Sequence, residues 1–195
     1  KFPRPKFFLN QSSFVNPALF LLVALGIFFR SRQYLFDRSL WLDEAAFSLN
    51  IIGRPLDRLL LEQLDSNQAA PLGLIFLTKG SVMLFGGSDL ILRLVPFLFG
   101  ILGLFLALDI SRRVFQSDMA KISFVALVAV APILIYYSSE IKQYGVDATV
   151  SLLLLWAAID SMSFRAEREI SGSHAEISRS LYSLEMTTWL ALALI

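Results

Sequence analysis

"PLGLIFLTKGSVMLFGG", residues 71–87, decides how this chain is folded, because everything after it changes sides if it crosses a membrane. Its apolar part, Pro71 to Phe85, is 15 residues long. As a helix that reaches about 22 Å, against a hydrocarbon core about 30 Å thick. Lys79 stands near its middle. A segment too short to span and charged at its centre reads as an interfacial or re-entrant helix.

Composition is what raises the question of a membrane. Of 195 residues, 56% are hydrophobic and only 17% charged, against roughly 25% charged in an average soluble domain. The net charge of +1 offers no footprint for a polyanion, so nucleic acid is not an expected partner. The absence of cysteine excludes disulfides and thiolate metal sites. The single His174 excludes a histidine cluster. No cofactor is called for, and only an all-carboxylate site for a divalent metal stays open.

A spanning helix needs roughly 20 mostly apolar residues. Candidates run from Phe14 to Phe29, extended by flanking residues to near position 34, then Leu90 to Ile110, Ile122 to Tyr137 and Val146 to Phe164. A fifth begins at Met186 and stops at Ile195, too early to cross. The chain therefore reads as the N-terminal part of a longer polytopic protein whose C-terminal part is absent. "NPALFLLVALGIFF" is not a cleaved signal, since no small-residue cleavage site follows it. The expected fold is all-α, a transmembrane helix bundle.

Charge supplies an independent check on sidedness. "SRRVFQSDMAK" carries Arg112, Arg113 and Lys121, whereas "SSEIKQYGVD" carries one lysine and two acids. Cytoplasmic loops favour Lys and Arg, so the first loop is expected inside and the second outside. Lys1, Arg4 and Lys6 place the N-terminus inside, and polar residues 165–180 form a cytoplasmic loop. Residues 37–89 are then external, and the Pro71 segment must not cross. Arg30, Arg32 and Arg38 count against this scheme, because they flank the first span on its outer side.

Within the external loop, "DEAAFSLNIIG" can form a short helix with Asp43 as N-cap and Gly53 as its stop. "PLDRLLLEQL" starts with Pro55 at a first-turn position. Its Leu56, Leu59, Leu60 and Leu64 share one face, opposite Asp57, Arg58 and Glu62. That pattern is an amphipathic helix lying on a membrane surface.

Two clusters could carry chemistry. Asp43 and Glu44 sit between Trp41-Leu42 and Ala45-Ala46-Phe47. Carboxylates in such company are costly unless paired or solvated. Adjacent helical residues point in different directions, so the two acids are expected to have distinct roles. The alternative is plain helix capping, with both acids favouring the positive helix end. In "YYSSEIKQYGVD", a helical reading puts Glu140, Gln143 or Tyr144, and Asp147 on one face. Asp147 then enters the outer end of a span, where an ionisable residue is a functional candidate; a solvated loop is the alternative. Gln68, Arg93 and Lys79 are weaker candidates, as a loop closer, a span anchor and a residue snorkelling to the interface.

The ordered set "RSLWLDEAAFSLNI", "QAAPLGLIFLTKGSVMLFGGSDLILRLVPFLFG" and "YYSSEIKQYGVD" resembles membrane glycosyltransferases of the GT-C superfamily. It is most similar to the family-39-like group of protein mannosyltransferases and bacterial lipid-linked-sugar transferases. The resemblance covers roughly residues 14–160 and implies a GT-C-like N-terminal module with surface helices in its first external loop. It implies Asp43 as the catalytic aspartate and Glu44 as its acidic neighbour. Gln68 and Pro71 match the entry to the second surface segment, and Glu140, Lys142, Tyr144 and Asp147 the outer motif. Ala45 and Ala46 stand where many relatives have an arginine, and Ala70-Pro71-Leu72-Gly73 replaces Pro-Pro-Leu-Tyr.

The function so implied is sugar transfer from a polyprenyl-phosphate donor to the hydroxyl of an acceptor glycan, lipid or protein. It would take place on the external, periplasmic face of the plasma (inner) membrane, with inversion. Asp43 would act as general base, Glu44 or Gln68 would position the acceptor, and Lys142, with Tyr144 or Arg93, would face the leaving phosphate. The rival classes are a transporter or flippase, with Asp147, Asp160 and Lys79 along a polar path, and a non-catalytic membrane subunit.

Overall fold

The computed structural model describes residues 15–162, and among them there is helix but no strand. The helices are α1 (Val15–Leu35), α2 (Leu42–Gly53), α3 (Leu56–Leu61), α4 (Leu72–Phe85), α5 (Asp89–Leu92), α6 (Leu94–Val114), α7 (Asp118–Val130), α8 (Pro132–Tyr137) and α9 (Gln143–Met162). Three of them, α1, α6 and α9, are long and apolar enough to cross a membrane, which marks a membrane protein. The chain divides after Leu154 into two units; of the second, only the continuation of α9 to Met162 is described. The expected partial span from Met186, the basic N-terminus and the polar loop lie outside the described residues.

The bundle follows from one repeating pattern. On α1, Val15, Leu19, Val23, Gly26 and Arg30 are buried, at helical spacing of three and four. They pack against Leu104, Ala107 and Leu108 of α6 and Val125 and Ala129 of α7. Gly26 is required there, since a Cβ would come within 2.8 Å of Leu104 Cδ2 and 3.2 Å of Ala129 Cα. Asn16 accepts a hydrogen bond from Arg112, while Tyr34 at the other end of α1 donates to Leu90 O at 2.7 Å. Thus α1 and α6 are antiparallel, and the start of α6 lies at the end of α1 that leads into residues 37–89.

Two expected spans are altered. The one expected from Leu90 is divided, with α5 ending before Arg93 and α6 beginning after it. The run expected from Ile122 to Tyr137 is broken into α7 and α8. Pro132 lacks an N–H and disfavours a helical residue before it, and Ala131 accordingly adopts φ −59°, ψ 118°. Val128 O loses the N–H that residue 132 would have supplied. Arg30 replaces it, donating to Val128 O at 2.9 Å and Ala129 O at 3.1 Å. A buried guanidinium thus closes the helix end that proline opened. Arg30 is therefore a bundle residue and not a loop charge, which removes it from the sidedness count.

Residues 37–89 fold over one end of the bundle. Phe47, Ile51, Leu59, Leu64, Ile75 and Leu92 form their own apolar cluster together with Ile141. The Pro71 segment is α4, 14 residues long, shorter than the three helices that reach spanning length. Leu74 in its first turn packs on Val95 and Val146, at the starts of α6 and α9. Val82 in its last turn packs on the cluster that contains Leu92. Lys79 does not extend outward but is buried: its Nζ donates to Ile51 O at 2.8 Å, an open carbonyl in the last turn of α2, where a cation is favoured. Two local expectations are corrected. The N-cap of α2 is Trp41, so Asp43 sits inside the first turn. α3 ends at Leu61, so Leu64 is buried from the loop beyond it, while Leu60 and Leu61 are exposed.

The account of the break makes a prediction. Arg30→Met leaves two buried carbonyls without donors, and unfolding followed in detergent should show a loss of about 2 kcal/mol. In a Pro132→Ala background, where residue 132 again offers an N–H to Val128, that loss should fall by roughly half.

Candidate functional site

The end of the bundle covered by residues 37–89 brings both sequence clusters together, but sorts their members into two environments. Glu44, at the third position of α2, is completely buried. Its Oε2 lies 3.3 Å from Arg93 Nη2 and 3.7 Å from Arg38 Nη2. It also receives the backbone N–H of Trp41 at 3.4 Å, the reach-back of a helix N3 glutamate. Its Oε1 accepts the N–H of Ile141 at 3.0 Å. Glu44 is thus the fastening of the loop, joined to the α5–α6 junction and to residues 138–142.

Asp43 is turned the other way. Its side chain is 47% exposed, and its Oδ2 lies 3.5 Å from Lys142 Nζ. Lys142 also donates to Gln68 Oε1 at 2.9 Å. Gln68 follows Ser66 and Asn67, both in the left-handed region with φ near 59° and 53°, a tight turn that returns the chain toward Lys142. Carboxylate, ammonium and amide therefore meet at a water-accessible rim. The different directions expected of adjacent helical acids give Asp43 and Glu44 their different surroundings.

The remaining candidates fall elsewhere. Arg93 is 1% exposed and already committed, donating to Arg38 O at 2.7 Å besides Glu44 and lying 3.7 Å from Asp37. Glu140 does not share a face with Tyr144 and Asp147, because α9 begins only at Gln143. The turn before it is held by close packing: a Cβ on Gly145 would come within 2.6 Å of Tyr137 O. Glu140 is instead buried, and its Oε1 accepts the Trp41 indole N–H at 2.8 Å. Burial pushes its carboxyl above the usual glutamate range; nearby Glu44 acts in the same sense, while Trp41, Arg38 and Lys142 act against it. Tyr144 is half exposed with its ring 4.9 Å from that of Tyr137. Asp147 is exposed on α9, and its carbonyl accepts from Ser151.

Sequence reasoning did not single out Arg38, Trp41 and Tyr136 as site residues. Arg38 donates to Tyr136 OH at 2.7 Å and lies 4.4 Å from the centre of its ring. Its Nε and Nη2 have no hydrogen-bond partner. Tyr136 also lines an open groove of about 650 Å³, together with Leu25, Phe29 and Gln33 of α1 and with Val130, Pro132 and Ile135. The signal for Arg38 and Trp41 was their place in "RSLWLDE", beside the acids. Among the described residues no group of three or more His, Cys, Asp or Glu is arranged to hold a metal ion.

No family model, curated protein or solved structure matches this chain.

The two acids should separate by stability. Glu44→Ala strands Arg93 in a dry site and should cost about 3–5 kcal/mol. Asp43→Asn, at a half-exposed position, should stay within about 0.5 kcal/mol of the parent. Chemical unfolding of the two variants in the same detergent measures the difference.

Proposed function

We propose that this chain is the N-terminal module of a membrane glycosyltransferase of the GT-C kind, acting on the external face of the plasma membrane. The donor is a polyprenyl-phosphate sugar, and the acceptor is a hydroxyl of a glycan, a lipid or a protein. Asp43 is the base. It takes the proton of the acceptor hydroxyl as that oxygen bonds to the anomeric carbon. The bond from that carbon to the phosphate oxygen breaks, and its electron pair leaves on the lipid phosphate with inversion at carbon.

The observation that carries this reading is the position of Asp43. It is the acid of the pair left open to water, with a cation and an amide beside it, while Glu44 is neutralised in the interior. A base must reach its proton directly or through one water, and Glu44 has no such access. Lys142 faces the charge that grows on the leaving phosphate, an electrostatic role. An arriving phosphate would draw Lys142 from Asp43 and free the carboxylate. Gln68 orients the acceptor. Arg38, whose Nε has no hydrogen-bond partner and whose Nη2 meets Glu44 only at 3.7 Å, takes the auxiliary place first assigned to Arg93. The groove that Tyr136 lines offers an apolar bed for the first isoprene units. Exposed Leu42, Leu49, Leu61, Met83, Leu84 and Phe85 suit surface helices resting on a leaflet.

In proteoliposomes of the full-length protein, Asp43→Asn should lower sugar transfer by about 10²–10⁴-fold while leaving binding of the lipid-linked sugar largely intact. Lys142→Met should weaken both transfer and binding. Unchanged transfer by Asp43→Asn would remove Asp43 as the base.

A further inference from the structure

Glu140 stands out among the buried groups because its position is only half explained. It is 2% exposed. Oε1 is bonded to the Trp41 indole, but Oε2 is buried with no hydrogen-bond partner. The contrast with Glu44 is informative: Glu44 is more deeply buried and has Arg93 in contact, whereas Glu140 has no cation within ion-pair distance among the described residues. Glu44 also bonds to the backbone N–H of Ile141, the residue after Glu140, so the two carboxyls are neighbours. Two ionised carboxyls so placed repel, and an ionised oxygen without a donor in a dry site is costly. A proton on Oε2 relieves both penalties while leaving Oε1 free to accept from the indole.

The role of that acid follows from what Trp41 does. Trp41 is the N-cap of α2, two residues before Asp43. The Trp41–Glu140 bond joins this cap to the loop that carries Lys142, the partner of Asp43. We propose that Glu140 is a buried carboxylic acid, protonated on Oε2, that positions Trp41 and through it the Asp43–Lys142 rim, and that on ionising leaves this dry site for water and so releases Trp41. The charged groups facing it are Glu44 on α2, Arg38 before α2 and Lys142 on its own loop. Arg38 and Lys142 oppose the effect, Glu44 adds to it, and burial is the largest influence. The sign is fixed. A glutamate whose carboxyl is raised on folding contributes stability that is present on the acidic side and fades as pH rises through the folded value. The rim is therefore firm when Glu140 is protonated and loosens as pH rises.

This does not depend on sugar transfer, and its test does not use it. Trp41 is isolated as the fluorophore by Trp156→Phe and Trp189→Phe, in the protein held in lipid nanodiscs. Its emission is titrated from about pH 4 to about pH 9, a range that spans the ordinary glutamate value and the region above it. The expected result is one transition above the ordinary glutamate value. In Glu140→Gln, a neutral side chain of the same shape, emission should keep its acidic-limb value throughout. Infrared spectra recorded on the acidic limb of that transition, above the ordinary glutamate value, should show a carboxylic-acid carbonyl band that disappears in the same variant. A titration unchanged by Glu140→Gln, a transition at or below the ordinary value, or no acid band lost in the variant would overturn the proposal.

Discussion

The buried pair of Glu44 and Arg93 is the contact on which the rest of the site depends. Both side chains are almost wholly out of water, where an unpaired charge is not tolerated. Each has several partners: Glu44 two arginines and two backbone N–H groups, Arg93 Glu44, Asp37 and a backbone carbonyl. The pair therefore fixes three segments at once, namely α2, the α5–α6 junction and residues 138–142. Asp43 is placed by consequence. Once Glu44 is locked inward, the helix geometry leaves its neighbour facing the rim.

A second regularity runs through the molecule. Among the described residues, three of the four buried cations close open backbone, while Lys121 meets Asp118. Arg30 serves the carbonyls released by Pro132, Lys79 serves the last turn of α2, and Arg93 serves the carbonyl of Arg38. Each sits where a helix or loop would otherwise present carbonyls to an apolar surrounding. In a chain of short and broken helices such ends are frequent, and water is not there to satisfy them. The charges that look misplaced in an apolar sequence are thus conditions of the broken fold.

Much of the architecture was legible in the sequence, for physical reasons. Long apolar runs gave α1, α6 and α9 because length and composition alone decide them. The short apolar run of the Pro71 segment likewise gave a short helix, α4. What was not legible depended on partners distant in sequence. Nothing near Arg30 shows that it would reach a carbonyl 98 residues away, so it was counted as a loop charge. Pro132 divides its run into α7 and α8, a break that the apolar continuity of Ile122 to Tyr137 concealed. For the site, adjacency told that Asp43 and Glu44 diverge, but not which one faces water; that depended on Arg93. Glu140 was grouped with Tyr144 and Asp147 on helical spacing, and the late start of α9 at Gln143 voided that spacing.

The central claim is that residues 37–89 and the loop before α9 meet at one rim. The chain has no native cysteine, so paired substitutions give an unambiguous reading. Gln68→Cys with Lys142→Cys replaces a contact of 2.9 Å. In sealed vesicles of the full-length protein, the two thiols should join rapidly under mild oxidation and react with the same impermeant reagent from the same side. Thiols that never join, and that label from opposite faces of the membrane, would contradict the account.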